Sequence, residues 1–458
     1  MKDNENITTN NIQSEGEQLK RVLTTKYVVF FGLAYIVPTS IFTYYGIVTQ
    51  VTKGMMPLGY IITTVVMLFT AISYGKMVSA FPLAGSAYTY VQKSMNPHLG
   101  FLVGWAMMLD YLLTPMLCFL VFGIYMNEFF PGVDTVVWVL LCAAIVAGIN
   151  IIGITIAARV DMIITIFAFA FTIFFIILAV RCAINSGFQL VDAEAIYNSE
   201  FFNARMVLFG SSILACAFLG FDAVTTVAEE TVNPEKTITR AIIIICAVAG
   251  FIFFVGAYVA QIIWPDAWKE LSNPDAGVFE LLGRIDADYM PTLFLIMDNI
   301  ATVANAIAAQ TAVTRLMYAM GRDGMLPKKI FGYIHPKTRT PIYNIIITTL
   351  IGLTAIFYAD NLLGAASLIS FGALVGFLFV NFSVIMHYFK NLKLRTGKYL
   401  FKYLIMPGLG TIMTVILVFT LDSAAKILGC IWVVIGLIYL VIKTKGFKEL
   451  PPELSFDE

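Results

Sequence analysis

Asp110, Asp222 and Asp298 each interrupt an apolar run long enough to cross a bilayer. A carboxylate at that depth is costly against lipid. It is tolerated where it faces protein or a water-filled cavity, and there it can meet a cation or exchange a proton. Asp222 has the most telling setting. It follows Gly220 and Phe221 after the uncharged stretch 213–219, and the chain then runs on to Glu229 and Glu230. A flexible residue beside a carboxylate marks a helix broken near mid-membrane, where exposed backbone and an acid together can hold a small solute. The alternative is structural: Asp222 accepts from backbone N–H groups that the break sets free.

The other two acids have neighbours at helical spacing. Asp110, Thr114, Cys118 and Tyr125 fall on one face of a helix, a polar stripe suited to a cavity wall. Tyr111 adjoins it, and a tyrosine ring attracts a desolvated alkylammonium by about 2 kcal/mol. Packing is the competing role for Tyr111, and a bond to a neighbouring helix for Asp110. Asp298, Thr302 and Asn305, at i, i+4 and i+7, again share a face. Asp298 reads equally as a solvated charge at a helix end.

The elements that must position these groups are membrane helices. Of 458 residues, 59% are hydrophobic and 13% charged, and the mean hydropathy is +0.84, far too apolar for a soluble domain of this length. The apolar runs form about twelve spans: 27–49, 57–80, 98–126, 135–154, 159–181, 204–228, 239–264, 290–320, 341–358, 362–388, 402–420 and 425–443. Net charge is zero, which gives no bias toward nucleic acid. The six cysteines are scattered without a C-x-x-C pair, so neither a disulfide framework nor a metal site is expected. Residues 1–20 are polar with no apolar core, a cytoplasmic tail rather than a signal peptide. If the N-terminus is cytoplasmic, all of the 29 basic residues except Lys53, Arg181, Arg205, Lys269, Arg284 and Lys426 fall inside, which places both termini there. Pro38, Thr39 and Ser40 interrupt the first span as Gly220 to Asp222 interrupt the sixth. Two interrupted spans five helices apart are the mark of an inverted repeat.

Three segments resemble signatures of the amino acid–polyamine–organocation superfamily: 81–90 (FPLAGSAYTY), 229–240 (EETVNPEKTITR) and 315–327 (RLMYAMGRDGMLP). Within it the chain is most similar to bacterial putrescine importers, through 32–35 (GLAY), 46–48 (GIV), 69–76 (FTAISYGK), Gly104-Trp105, 109–112 (LDYL), 218–225 (FLGFDAVT) and 331–337 (FGYIHPK). That likeness implies the leucine-transporter fold, with substrate held by helices one, three, six and eight, and it implies that Tyr111 lines the pocket. It departs at two positions, because putrescine importers carry an acid where this chain has Thr43 and none at Asp298. Amino acid permeases of the superfamily have a G-S-G-like run at the first break, whose free amides cradle a carboxylate. Pro38 has no N–H to offer, which favours an amine without a carboxylate. Residues 161–180 hold no Lys or Arg, so the fixed ammonium that replaces sodium in some proton-coupled relatives is missing. Thr311 and Thr314 could serve a sodium site but more often bond their own backbone, and proton coupling is preferred. His98, His335 and His387 fall near cytoplasmic helix ends and read as solvated or interfacial. Glu229, Glu230, Lys236, Arg240, Arg315 and Arg322 could pair as an inner gate or only set topology.

The expectation is an all-α polytopic membrane protein of the leucine-transporter fold. It has a tail (1–26), a first repeat (27–184), an inverted second repeat (204–388), two peripheral helices (400–443) and a tail (444–458). Its function is import of a small, putrescine-like amine across the plasma membrane by alternating access, coupled to protons; an amino acid permease (proton symporter or exchanger) is the alternative. Asp222 with Asp110 or Asp298 would meet the ammonium groups. Tyr35, Tyr111, Phe218 and Phe221 would wall the alkyl chain, and Pro38, Thr39, Ser40, Thr43, Gly220 and Thr302 complete the expected site. No enzyme is expected, since nucleophile-elbow, Walker A and H-E-x-x-H motifs are missing, and no cofactor or metal. The expected partners are the solute, a coupling ion and the bilayer; a sensor that binds without transport ranks low.

Overall fold

The computed structural model describes residues 23–82, 86–152, 158–285, 287–322, 324 and 326–451. The tail segments 1–22 and 452–458 lie outside them, as do 83–85 of the first signature and the side chains of Glu229 and Glu230. Among the described residues nine helices are long and apolar enough to cross a membrane, and Ala204–Phe218 and Ile342–Tyr358 are shorter apolar ones. Thr25–Tyr35 and Ser40–Thr52 together form one more crossing, interrupted in its middle. We number the twelve in chain order as helices one to twelve. Helix two is Met56–Ala80, three Pro97–Phe129, four Thr135–Ile152, five Ala158–Asn185, seven Pro234–Ile263 and eight Met290–Arg322. Helix nine is Ile342–Tyr358, ten Leu362–Asn391, eleven Gly397–Thr420 and twelve Ser423–Lys443. After twelve crossings the start of helix one and the end of helix twelve lie on the same side, here called the tail side; the other is the far side.

Side chains close to the ends fix where helices start. Pro97 opens helix three while the Asn96 side chain accepts from the His98 N–H at 2.8 Å. Asn203 accepts from the Arg205 and Met206 amides at the start of helix six, and Asn361 from Gly364 at the start of helix ten. Helices two and seven cross closely because Gly75 and Gly250 admit Thr239 and Thr64, and the Thr239 hydroxyl donates to the Gly75 carbonyl at 2.8 Å.

Both expected breaks are present, each slightly displaced. In helix one the chain leaves the helix at Ile36, and Val37 takes a left-handed φ of 50° before Pro38 and Thr39 restart it. A β-branched residue in that region is strained, and such strain concentrates at functional sites. In helix six, Ala204–Leu214 tightens into a 3₁₀ turn at Ala215–Phe218 and becomes extended at Leu219. Gly220 then turns with φ 98°, and Phe221–Glu230 continues as 3₁₀ helix. A Cβ on Gly220 would lie 2.9 Å from the Cβ of Tyr35, so the two breaks touch and only glycine fits there. On the tail side the two interrupted helices are tied again, the Val232 N–H donating to the Leu23 carbonyl at 2.9 Å.

Candidate functional site

The two breaks and the facing sides of helices three and eight enclose a cavity of about 180 Å³. Helix one contributes Tyr35, Thr39, Ser40 and Thr43, helix three Asp110, Tyr111, Thr114 and Cys118, helix six Gly220 and Asp222, and helix eight Asp298, Thr302 and Asn305. Ten of the thirteen expected residues therefore come together on one surface. That volume is below the roughly 300–1,000 Å³ of pockets for drug-sized ligands.

Hydroxyl groups stand beside each of the three carboxylates. Tyr74 of helix two donates its hydroxyl to Asp222 Oδ2 at 3.3 Å. Thr114 donates to Asp110 Oδ1 at 3.2 Å, one turn further along the predicted stripe. Thr302 donates to Asp298 Oδ2 at 3.4 Å, and Thr39 lies beside the same carboxylate. Asp298 is 3% exposed, so it is a buried wall residue and not a solvated helix end. Among the described residues no Lys, Arg or His lines the cavity. Buried carboxylates on a lining without basic side chains favour a cation or a proton beside them.

The acids stand at two ends. Asn305 donates to the Cys118 sulfur at 3.6 Å, which marks where helices three and eight are level. From there Asp110 lies eight residues toward the tail side and Asp298 seven residues toward the far side. Asp222 is close enough to Asp110 for their charges to interact. One pole of the cavity thus carries Asp110 and Asp222, and the other Asp298.

Three expected wall residues are elsewhere. Phe218 is fully buried and packs edge-on against Phe253 of helix seven, at 5.4 Å between centroids. Phe221 is fully buried against Tyr74 and Phe377. The 3₁₀ turns flanking Gly220 rotate both rings into the helix-packing core, so they support the break instead of touching a ligand. Pro38 borders a side crevice with Thr165, Ala168 and Ala308. Tyr125, last of the helix-three stripe, is buried beyond the cavity against Phe279 and Phe294. Sequence reasoning missed Tyr44, Cys216 and the alanines 301, 308, 309 and 312. The alanines had a legible signal, since small residues on the Asp298 face of helix eight leave the space. Thr311 is committed to Asn150 and to the Ile307 carbonyl, and Thr314 to the Thr311 carbonyl.

The amino acid permease family model matches residues 27–449. The chain belongs to that family. It is 37% identical over 454 residues to the low-affinity putrescine importer PlaP of Escherichia coli (strain K12), covering 98% of each chain. It is also 24% identical to a methylthioribose transporter of Bacillus subtilis (strain 168), covering 96% of this chain and 97% of that one. The branched-chain amino acid permease BcaP of the same organism is 25% identical, covering 95% and 96%. These relatives are transporters, not enzymes, and the all-helical arrangement with two interrupted helices agrees with the leucine-transporter fold of the superfamily.

Proposed function

We propose that this permease imports a small aliphatic diamine of the putrescine type. The observation that carries the reading is a cavity with carboxylates at both ends and no basic residue on its lining among the described residues. A diamine finds carboxylate partners for its ammonium groups on this lining, and its alkyl chain meets Ala301, Leu117 and the Tyr35 and Tyr111 rings. An α-amino acid would need an anion site in the same place. At the helix-one break the Ser40 N–H already donates to the Val37 carbonyl at 2.9 Å, and Pro38 has no N–H to offer. The 37% identity to a protein named as a putrescine importer supports the same substrate class.

The transport cycle follows from the breaks. Helices one and six each pivot about two or three residues without regular hydrogen bonds, so their halves can tilt independently around a fixed site. We assign residues 27–184 and 204–388 to the two inverted repeats, 400–443 to peripheral helices, and the tail side to the cytoplasm of a plasma membrane. Three carboxylates facing two ammonium groups leave one acid to carry a proton, and coupling to a proton gradient follows. Uptake of labelled putrescine into proteoliposomes, with unlabelled amines and amino acids as competitors under an imposed pH gradient, tests this. Competition by cadaverine but not by alanine is expected; inhibition by alanine or leucine with indifference to putrescine would make the protein an amino acid permease instead.

A further inference from the structure

We propose that the tail-side connection between helices ten and eleven binds the phosphodiester headgroup of anionic phospholipids in the adjacent leaflet. Residues 390–402 carry Lys390, Lys393, Arg395, Lys398 and Lys402, all exposed, and the sequence holds no Asp or Glu between Asp360 and Asp422. Interleaved with them, Leu392, Tyr399, Leu400 and Phe401 are exposed apolar side chains. Alternating cations and apolar groups at a helix end sit at the depth where headgroups meet acyl chains.

The loop also has a built pocket. Lys76, at the end of helix two, is buried and donates to the Lys402 backbone carbonyl. Its ammonium stands 5.7 Å from the Tyr403 ring centre, and the Lys402 ammonium stands 5.0 Å from the same ring. Among the described residues neither ammonium is within ion-pair distance of a carboxylate. Two like charges converging on one ring repel each other, and a shared phosphate oxygen relieves both. Tyr403 is held in place by stacking on Tyr388 at 4.2 Å, and Tyr388 donates to the Lys76 carbonyl at 2.9 Å. Both tyrosines belong to wider π turns, Ile385–Asn391 and Phe401–Ile405, an unusual backbone that concentrates at functional sites. This site is separate from the central cavity and does not depend on which solute is carried.

The test uses the full chain in neutral detergent, with thermal unfolding followed after adding phosphatidylglycerol or phosphatidylcholine. Phosphatidylglycerol should raise the midpoint above phosphatidylcholine, and the difference should shrink in high salt. The triple variant Lys393→Gln, Arg395→Gln, Lys398→Gln should lose that difference, with affinity falling about fivefold per charge. A control triple variant in another tail-side loop, Lys328→Gln, Lys329→Gln, Lys337→Gln, should keep it. Lys76→Gln should weaken the effect and Lys76→Arg retain it. Equal stabilisation by both lipids, or an undiminished effect in the first triple variant, would overturn the proposal. An equal midpoint rise with inorganic phosphate alone would also overturn it, by making this a soluble-anion site.

Discussion

The two ends of the central cavity differ: the far-side end is sealed and the tail-side end is open. Toward the far side, Tyr125, Phe279 and Phe294 lie in mutual edge-on or tilted contact at 5.0–5.7 Å, with Phe42 and Phe171 against Phe294 at 5.3 and 5.5 Å. Toward the tail side, Tyr35 and Tyr111 are 46% and 36% exposed, and Ala308 and Ala312 are open. The far-side seal is dry aromatic packing, and each pair adds about 0.5–1.5 kcal/mol beyond its buried area. Among the described residues the tail-side mouth has no comparable aromatic plug. On the proposed function, a solute at Asp298 would leave past Asp222 and Asp110 toward the tail side.

The largest expected effect tests whether the mouth and the deep pole do separate work. Asp222→Asn removes the carboxylate at the break while keeping its shape. Losing one partner of a buried charge pair costs about 2–5 kcal/mol, so putrescine uptake should fall roughly 30-fold or more with membrane expression unchanged. Asp298→Asn should cost a diamine as much but spare a monoamine, which needs only one pole. Uptake of putrescine and butylamine, measured side by side, checks this. Equal losses for both solutes would mean that the poles do not divide the two ammonium groups.

The next effect acts on the far-side seal. The connection between helices seven and eight closes onto helix one at Gly46, where an added Cβ would collide with the Pro274 carbonyl oxygen. Gly277 meets Gly46 backbone to backbone on the same surface. Gly46→Ala should therefore hold the far side open. Labelling of a cysteine placed at Ile47 by a membrane-impermeant thiol reagent should rise several-fold, and turnover should drop while solute binding from the far side survives. Unchanged labelling with normal turnover would show that the loop yields easily. Tyr111→Ala, at the mouth, should then weaken uptake by about tenfold through loss of the ring face, and Tyr111→Phe by much less. Equal losses would argue for a role of the hydroxyl.

Much of this arrangement was legible in the chain because its signals are local. Charge in an apolar run, a proline or glycine at mid-span and Asn before a helix start each carry their meaning within a few residues, and the spans and both breaks followed. The rotation of a side chain about its helix is not local. Phe218 and Phe221 flank the break in sequence, yet the extended Leu219 and the left-handed Gly220 turn both rings away from the cavity. The far-side plug is built of Tyr125 from helix three and of ordinary phenylalanines from helices one, five and eight and from the segment Gly277–Gly283, and nothing in any one of them marks a seal. Which end was open is a property of that distant packing.

The smallest effect concerns Asp275, on the far-side connection. Burial and the nearby Asp360 raise its pKa above the ordinary 3.8, against the opposing effect of the Leu362 N–H, which donates to Asp275 Oδ2 at 3.3 Å. A carboxyl whose pKa is raised in the closed arrangement binds its proton more tightly there than when the loop lifts away into water. Ionisation therefore weakens closure as pH rises above 3.8, and acidification strengthens it. Far-side labelling at Ile47 should accordingly fall as external pH is lowered toward that value. Asp275→Asn, which cannot ionise, should hold labelling at the low-pH level throughout. The aromatic plug carries no carboxyl to respond in this way, so a pH response that persists in Asp275→Asn would trace the sensitivity to other acids and remove the connection from control of the seal.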